Sequence, residues 1–523
     1  MNDLEENVFR LGDGVDVYNP DVTSDELRFK RLKNLQPFRG RLKAANGFVL
    51  VDTIGSSRVL AFAFCTEPYA LYSSLFAFTE TGIYAYDFVN DEFDSTAIYT
   101  WPSGTGPIAI APWYSSVYAT RKGAPLVRLV GAVATIVADA PGGRYLKVSN
   151  SHLMIANLAF GTENYPNRVR WSDIYLPELW EITSASEADF FELEPSDGEI
   201  TGLTYQRGNN LIYTRPTIWI ARYNPIPVGY RFEPLYTDVG SSFHGGVISV
   251  KERDFFIGAD NIYEIDGLQL KEIGDPIWAF FKEDCITNPV TGFLSTRVIK
   301  QQHSVAWIYN KLGGGYWSIV YNYKQKSWSD RDPQDVFASL YLEAPLRGFI
   351  PINDVTSIIN DPPNDTNLIN GDWQFPTSTL SELHGGSDGD IFDSNATFEK
   401  ATAGVPIACE AETFEFYVDS LFDKKEFDSV NLHFSGLGLP NIQLYVGTRE
   451  NRLQAVTWSA AIELYDQLSG ETAFNFRGLS GAVGQGKLIR FKFSWNNYEN
   501  NYVDELTNIS FSKLNDGPDQ PDQ

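Results

Sequence analysis

Two glycine-rich segments of the sequence contain residue types that can do chemistry. Residues 481–487 read Gly-Ala-Val-Gly-Gln-Gly-Lys and match a phosphate-binding loop, in which glycine amides surround phosphates and a lysine reaches the terminal one. The next residue, Leu488, cannot supply the hydroxyl that such a loop offers to magnesium, and a strand pattern follows instead of a helix. We therefore predict a hairpin turn here.

Ser387 lies in the second segment, residues 385–389, which fits the pattern of a serine nucleophile elbow. That elbow joins a strand to a helix in an α/β sheet, whereas residues 390–392 (Asp-Ile-Phe) have a strand pattern. His384 is adjacent in sequence, but the partners of a catalytic serine meet through folding, so adjacency adds no support. We predict a polar turn.

Metal-ligand spacing is absent from the sequence. Oxygen donors cluster at residues 361–367, but the segment lacks the glycine and terminal glutamate of an EF-hand loop. Carboxylate pairs at glycosidase spacing are unavoidable among 67 acidic residues and indicate nothing. We predict no catalytic residue, no cofactor, no metal site and no enzymatic activity. The five histidines have no i, i+3 or i+4 pairing and are His152, His244, His303, His384 and His433.

Composition narrows the class of protein. The chain has 523 residues, 43% hydrophobic and 14% aromatic, which is typical of a folded protein of one to four domains. Cys65, Cys285 and Cys409 are odd in number and widely spaced, which argues against a disulfide framework and fits a reducing compartment. The charge-free stretch 95–120 contains three prolines, and the acidic N-terminus lacks signal-peptide features, so we expect no membrane insertion.

The formal charge is strongly negative. Lys and Arg number 41 against 67 Asp and Glu, which gives −26 at pH 7. Such a surface repels nucleic-acid phosphate and anionic lipid, so we expect no tight non-specific binding to either.

Strand and turn chemistry extends over most of the chain. Short runs of aromatic and β-branched residues alternate with polar ones between Gly, Pro, Asn and Asp. Helical periodicity is limited to residues 24–32, with Ser24 as the cap, and residues 275–285. The pattern disfavours an α/β architecture.

A loose internal repeat predicts the architecture. Its unit is an apolar strand, a tight polar turn and a second strand, with clear copies at residues 75–86, 211–220 and 254–265. Separations of roughly 36 to 58 residues are typical of four-stranded propeller blades. We predict an all-β fold with a β-propeller of about six or seven irregular blades; unrelated hairpins in stacked sandwiches are the alternative.

Pattern changes along the chain predict the domain boundaries. Residues 1–47 form an N-terminal arm with the first strands, and residues 48–402 form the propeller, with a long Pro-, Asn- and Asp-rich loop excursion at 343–385. Alternation at 403–513 predicts a β-sandwich domain, and residues 514–523 predict a disordered acidic tail.

Several segments carry a family resemblance when taken in order. They are residues 32–43 (Leu-Lys-Asn-Leu-Gln-Pro-Phe-Arg-Gly-Arg-Leu-Lys) ending at Asn46-Gly47, residues 167–174 (Asn-Arg-Val-Arg-Trp-Ser-Asp-Ile) with Pro177-Glu178-Leu179-Trp180, residues 197–203 leading into 209–213, and residues 486–493 before 509–511. The series resembles the tail nozzle or hub proteins of short-tailed bacteriophages, the tail tubular protein B or packaged-DNA stabilisation group. The chain departs from that group at residues 43–47, where a basic-Pro-Gly turn is commoner, and the 343–383 excursion is unassigned.

The resemblance implies a structural virion protein made in the host cytoplasm and located in the virion tail. Members form a homo-hexameric ring below the portal and head-tail adaptor rings. That ring is a conduit and gate for double-stranded DNA, and it carries tail fibres, spikes or a needle. The implied contact with DNA is transient passage without tight binding, and the members are not enzymes.

The sequence also indicates which residues of such a ring could line its channel and its interfaces. An acidic lumen repels DNA over about 8 Å at physiological salt and keeps the duplex free to slide. Asp361, Asp365 and Asp372 lie in a proline-stiffened acidic segment and are the candidate channel-constriction residues. Aromatic edges at 113–114 and 495–498 suit interfaces. The alternatives are a receptor-binding or glycan-cleaving propeller tail protein and a cellular propeller scaffold, for which WD-type signatures are lacking.

Overall fold

In a computed structural model, the described part of the chain consists mostly of β-strands. Within the described part of the chain there is one α-helix, Asp275–Asp284, as the periodicity predicts; Pro276 opens it, and Ile277 and Phe281 bury one face. The structure describes residues 6–8, 29–38, 41–44, 48–66, 73–88, 90, 92–102, 107–225, 228–285, 294–331, 336–341, 382–393, 401–402, 405–413, 425–437, 442–449, 455–464, 471–475, 485–486, 488–497 and 502–513.

Seven antiparallel four-stranded units, here called blades 1 to 7, follow one another along the chain. Blade 1 contains Val59–Thr66, Ser73–Thr79, Gly82–Asp87 and Tyr99–Thr100, with Glu92–Phe93 also beside the third strand; blade 2 contains Ala109–Trp113, Ser116–Thr120, Val127–Val130 and Val133–Ile136; blade 3 contains Gly142–Ser149, His152–Phe160, Glu163–Trp171 and Asp189–Glu192. Blade 4 contains Gly202–Gln206, Asn209–Tyr213, Thr217–Pro225 and Val228–Thr237; blade 5 contains Ile248–Val250, Arg253–Ile257, Ile262–Asp266 and Gln269–Glu272. Blade 6 contains Leu294–Ile299, Ser304–Asn310, Tyr316–Asn322 and Ser327–Arg331; blade 7 contains Ala338–Tyr341, Glu382–Gly385, Asp390–Asp393 and Val49–Thr53. Two short 3-10 turns, Pro195–Asp197 and Lys300–Gln302, connect strands.

The blades pack side by side into a propeller. A shared buried apolar cluster joins each blade to the next from blade 1 to blade 6, and Ser295 Oγ of blade 6 donates to the Phe337 carbonyl at the start of blade 7 (2.9 Å). Val59 of blade 1 and Leu383 of blade 7 share a further cluster. Gly385 allows this approach, because a β carbon there would clash with Val59. The predicted propeller is confirmed, with seven blades.

The outer strand of blade 7 comes from the start of the chain. Val49–Thr53 pairs antiparallel with Asp390–Asp393, which brings Val49 opposite Asp393. The first and last parts of the propeller sequence thus share one sheet, and the ring is held shut by main-chain hydrogen bonds.

A two-sheet sandwich lies beside the propeller, as predicted. Phe491, Phe493 and Trp495 alternate inward from one sheet and share a core with Leu432 and Ile509 of the other. One sheet contains Leu35–Phe38, Arg41–Ala44, Tyr502–Lys513, Lys425–Leu437 and Glu471–Asn475, with Glu6–Val8 and Gln485–Gly486 paired at its side; the second contains Phe29–Lys33, Val405–Thr413, Leu488–Asn497 and Ile442–Arg449, with Ala401–Thr402, Thr457–Trp458 and Ile462–Leu464 paired at its side.

The N-terminal strands belong to this sandwich. Phe29–Lys33 pairs with Val405–Thr413 and Arg41–Ala44 with Tyr502–Lys513, while Leu35–Phe38 pairs with Arg41–Ala44, so the region predicted as an arm contributes strands to both sheets. The end of the predicted 343–385 excursion is a strand, Glu382–Gly385, rather than a loop. Residues 342–381 and the predicted tail at 514–523 lie outside the described residues.

The predicted helix at residues 24–32 is wrong where the structure describes it, because residues 29–33 form a strand. Phe29 and Leu32 are both fully buried, at the i, i+3 spacing of a helix. The pairing with residues 405–413 shifts register between Phe29 and Arg31. A bulge of this kind places an extra residue between two inward side chains, so a strand imitates helical spacing.

A buried carboxylate joins the sandwich to the propeller. Asp330 in the outer strand of blade 6 accepts hydrogen bonds from Arg31 Nε (3.2 Å), the Leu32 amide (3.2 Å) and Trp317 Nε1 (3.3 Å). The Asn34 amide donates to the Asp330 carbonyl (3.1 Å), so blade 6 and one sandwich sheet form a continuous sheet. Burial raises the pKa of Asp330 even though Arg31 opposes the shift. The carboxylate therefore depends on these donors.

Asp330→Ala is expected to lower the free energy of unfolding by about 3 kcal/mol, because it removes the acceptor of Arg31 Nε, the Leu32 amide and Trp317 Nε1. Arg31→Met/Asp330→Leu, which removes both charges, is expected to lose less. Urea denaturation followed by tryptophan fluorescence measures both. The exposed pair Arg231–Glu233 serves as the control, and Arg231→Met is expected to cost less than about 1 kcal/mol. An Asp330→Ala loss as small as the control would refute the role of the junction.

Candidate functional site

The structure describes only some of the residues singled out from the sequence. Asp361, Asp365 and Asp372 lie outside the described residues, so their role as a constriction stays a prediction. The anchor of their segment is described: Tyr341, at the end of the innermost strand of blade 7, pairs with Glu382. The excursion therefore leaves and returns at the inner part of one blade.

Ser387 lies in the tight turn between two strands of blade 7, Glu382–Gly385 and Asp390–Asp393, as predicted. Its hydroxyl lies 3.4 Å from the neighbouring Asp388 carboxylate. His384 is buried, with its ring centroid 4.4 Å from that of Phe48, and burial lowers its pKa well below the usual value. Most of the phosphate-loop segment 481–487 lies outside the described residues, although Gln485–Gly486 pairs as a strand.

Cysteine and metal chemistry find little support in the described parts of the chain. All three cysteines are buried thiols, and burial raises the pKa of Cys285 to about 12, so this thiol stays protonated. No group of three or more His, Cys, Asp or Glu side chains among the described residues is arranged to hold a metal ion. None of their helices is long and apolar enough to cross a membrane.

The two predicted aromatic edges have different surroundings. Trp495 and Asn497 are buried in the sandwich, whereas Asn496 between them is exposed, so the aromatic side chain described at this edge belongs to the core. Trp113 is also buried, whereas the neighbouring Tyr114 is 68% exposed. Among the described residues of these two edges, Tyr114 at blade 2 is the only exposed aromatic side chain.

Strand order divides the propeller loops between two faces. Because strands alternate in direction, the connections between blades and the turns between second and third strands emerge on one face, here called the connection face. The turns between first and second strands and between third and fourth strands emerge on the other, here called the hairpin face.

A cluster of charged side chains lies on the connection face across blades 2 to 5. His244 precedes blade 5, and its Nε2 lies 3.0 Å from Glu199 Oε1, which precedes blade 4. The Tyr145 hydroxyl lies 2.8 Å from His244 Nδ1, and Arg215 Nη2 lies 3.9 Å from Glu199. Lys122, in a turn of blade 2, donates to the side chain of Asn157 (2.6 Å). Four blades thus contribute to one polar network.

Neighbouring charges and a hydrogen bond keep the Glu199 carboxyl ionised. The hydrogen bond from His244 is the main cause, and the charges of Arg144 and Lys122 add to it, so the pKa of the Glu199 carboxyl falls to about 2. Burial raises the pKa of Tyr145 and lowers that of Lys122. A carboxylate this acidic is a weak general base at neutral pH. The cluster is suited to holding loops of neighbouring blades together and to binding polar groups.

Sequence reasoning did not identify this cluster. Its members come from loops and strands of four blades, spread from Lys122 to His244, and only Glu199 falls in a segment that carries the family resemblance. The strand pattern predicts roughly where the connections between blades lie. It does not predict which side chains meet on one face of the propeller, because that depends on closure of the ring.

Comparison with known proteins assigns no family and no function to the chain. No protein-family model and no curated protein matches the chain. Among solved structures it is similar to the extracellular domain of a one-component system from B. thetaiotaomicron (9% identity, TM-score 0.38, covering 83% of this chain and 48% of that one). It is also similar to YCF48 bound to D1 peptide (6% identity, TM-score 0.34, covering 66% of this chain and 95% of that one). The chain thus spans about half the length of the first structure, and neither similarity carries an argument about function.

Glu199→Gln is expected to be less stable than wild type above pH 4.5 and to approach wild-type stability in acid. The folded-state pKa of about 2 lies below the ordinary 4.5, so the ionised carboxylate stabilises the fold above pH 4.5 and this contribution is lost as pH falls toward 2. Unfolding midpoints measured from pH 2.5 to 6 are therefore expected to fall less steeply for the variant than for wild type. Glu194→Gln, at an exposed carboxylate nearby, is the control. Parallel curves for Glu199→Gln and wild type would contradict the assignment.

Proposed function

We propose that the chain is a structural virion protein, a subunit of the hexameric tail nozzle or hub of a short-tailed bacteriophage. Assembled below the head-tail adaptor, the ring retains the packaged genome, lets double-stranded DNA pass at ejection and anchors fibres, spikes or a needle. The protein acts in the virion tail and performs no catalysis.

The observation that best supports this proposal is the rigid connection between the propeller and the sandwich. A closed ring needs two different surfaces on each subunit, held at a fixed angle. Here a propeller and a sandwich share one continuous sheet through Asn34 and Asp330, and Arg31 and Trp317 pack around the same carboxylate. Such a junction resists hinge motion, because bending would break main-chain and buried side-chain hydrogen bonds together.

The residues that carry the family resemblance lie in this framework. Where they are described, residues 32–43 and 486–493 belong to sandwich strands, and residues 197–213 lead into blade 4. In blade 3, Trp171 and Trp180 are buried, and Arg170 donates to the Trp180 carbonyl (2.5 Å). The resemblance therefore concerns how the two parts are built, which favours a shared architecture.

The charge of the chain fits a conduit that does not retain DNA. Six copies of a −26 chain bring a large negative charge around any lumen, and phosphate is repelled from it. Asp361, Asp365 and Asp372 belong to the segment anchored by the Tyr341–Glu382 pair, and we propose that this segment narrows the lumen.

Electron microscopy of the purified chain, alone and with its adaptor ring, is expected to show six-fold rings with a central hole. The expectation follows from the two rigidly joined surfaces of each subunit. Monomers under both conditions would count strongly against the nozzle. Glycan binding without rings would favour the receptor-binding alternative.

Replacing Asp361, Asp365 and Asp372 together by lysine is expected to slow DNA release from assembled particles, because added positive charge grips the phosphate backbone. The measurement is the time course of DNA release on triggering, at two salt concentrations. Lysines at Glu92, Glu194 and Glu283, exposed carboxylates elsewhere on the propeller, match the change in charge and are expected to leave the rate unchanged. Equal rates for both triple variants would reject the constriction.

A further inference from the structure

A cleft between blades 2 and 3 opens on the hairpin face of the propeller. Its volume is about 500 Å³, which is within the range of small-molecule sites. Blade 2 contributes the turn after its first strand, and blade 3 contributes residues 176–179 from the connection between its third and fourth strands. The cleft is therefore separate from the polar network of Glu199 and His244, which lies on the connection face.

The blade-2 side of the cleft carries an exposed aromatic ring. Trp113 and Tyr114 both line the cleft with their ring centroids 6.1 Å apart, and Tyr114 is 68% exposed. Tyr114 begins a two-residue turn with a φ of 48°, in the left-handed region that bulky side chains rarely adopt. Asn or Gly would suit this backbone better, so the chain keeps an exposed tyrosine here at a cost in stability.

An ion pair between the two blades forms the polar side of the cleft. Arg128 Nη1 lies 2.8 Å from Glu178 Oε1, and the Tyr118 hydroxyl donates to the same oxygen (3.1 Å). Arg128 Nε donates to Ser116 Oγ (3.1 Å). Among the described residues, Arg128 Nη2 and Glu178 Oε2 have no hydrogen-bond partner. A donor and an acceptor on adjacent side chains therefore remain available at the cleft.

The charges at the cleft cancel. Arg128 is paired with Glu178, and no other charged side chain lines the cleft in the part of the chain that the structure describes. Blade 2 brings no further carboxylate, since none of the residues from Ser95 to Ala138 is Asp or Glu. A charged ligand would have to compete with the existing ion pair. A purely apolar ligand would remove water from that pair without replacing its hydrogen bonds. The cleft thus favours an uncharged ligand with hydrogen-bonding groups.

We infer that this cleft binds an uncharged saccharide, with the Tyr114 ring against one face of the sugar and Arg128 and Glu178 on adjacent hydroxyls. A pyranose has a face of C–H groups that suits the electron-rich face of an aromatic ring. Each of its hydroxyls both donates and accepts, so one hydroxyl accepts from Arg128 Nη2 while the next donates to Glu178 Oε2. The inference concerns binding without bond cleavage, goes beyond the proposed nozzle and does not depend on the ring.

Isothermal titration calorimetry of the purified full chain tests the ligand class. The probes are the neutral disaccharides maltose, lactose, cellobiose and N,N′-diacetylchitobiose, with galacturonic acid as an anionic sugar and trilysine as a cationic peptide. At least one neutral disaccharide is expected to bind more tightly than either charged probe. Absence of binding by all four disaccharides, or binding of a charged probe alone, would overturn the inference.

Tyr114→Asn tests the aromatic contact without disturbing the fold, because Asn tolerates the left-handed turn. Saccharide affinity is expected to fall at least about tenfold, while the thermal unfolding midpoint stays the same or rises. Tyr175→Asn is the matched control, since Tyr175 is also exposed, has a φ of 57° and does not line the cleft. It is expected to bind like wild type.

Arg128→Lys tests the polar contact. The lysine keeps the charge opposite Glu178 but lacks the second guanidinium nitrogen, so affinity is expected to fall at least about tenfold with little change in the unfolding midpoint. Binding that survives both Tyr114→Asn and Arg128→Lys would place the saccharide elsewhere and overturn the assignment of the cleft.

The outcomes separate this inference from the proposed function. Six-fold rings from a chain that binds no saccharide would overturn the inference and leave the nozzle standing. Saccharide binding that depends on Tyr114 in a chain that forms no rings would support the inference and count against the nozzle.

Discussion

The closure of the propeller determines where every other part of the chain can lie. A ring of sheets is stable only when its last blade packs on its first and is itself complete. Here the missing strand of blade 7 is supplied by Val49–Thr53, with Val49 opposite Asp393. Chain preceding Val49 and chain following Asp393 therefore emerge at the same end of the same sheet. The sandwich is built from both ends of the sequence because closure places those ends side by side.

The position of the sandwich relative to the propeller then depends on one carboxylate. Asp330 is fully enclosed and would be costly to bury alone, but three donors from both sides of the junction reach it. Within the propeller, Asp254 has the same role between blades 4 and 5, since it accepts from Tyr213 (2.6 Å), Ser249 (2.5 Å) and Thr204. Apolar clusters supply most of the contact area between blades. Asp330 and Asp254 determine the alignment, because their hydrogen bonds form only when the correct surfaces are in contact.

Most of the architecture could be predicted from local pattern, and the failures have physical causes. Hairpins such as residues 254–265 are visible because apolar residues, a polar turn and a second strand follow each other directly. The placement of residues 29–44 could not be seen, because their partners lie more than 350 residues away. The bulge near Arg31 also gave a strand the spacing of a helix. Glu199 and His244 meet only because the blades close into a ring, so no motif marks their cluster.

Framework and function draw on different residues in this protein. Trp171, Trp180 and Asp330 are enclosed and determine how the parts fit. Val133 and Ile136 lie on an edge strand that pairs with no further strand among the described residues, and both side chains are more than half exposed. The absence of acid from Ser95 to Ala138 is the sequence signal of blade 2. Such a signal emerges only when charge is compared blade by blade, after strand order has defined the blades.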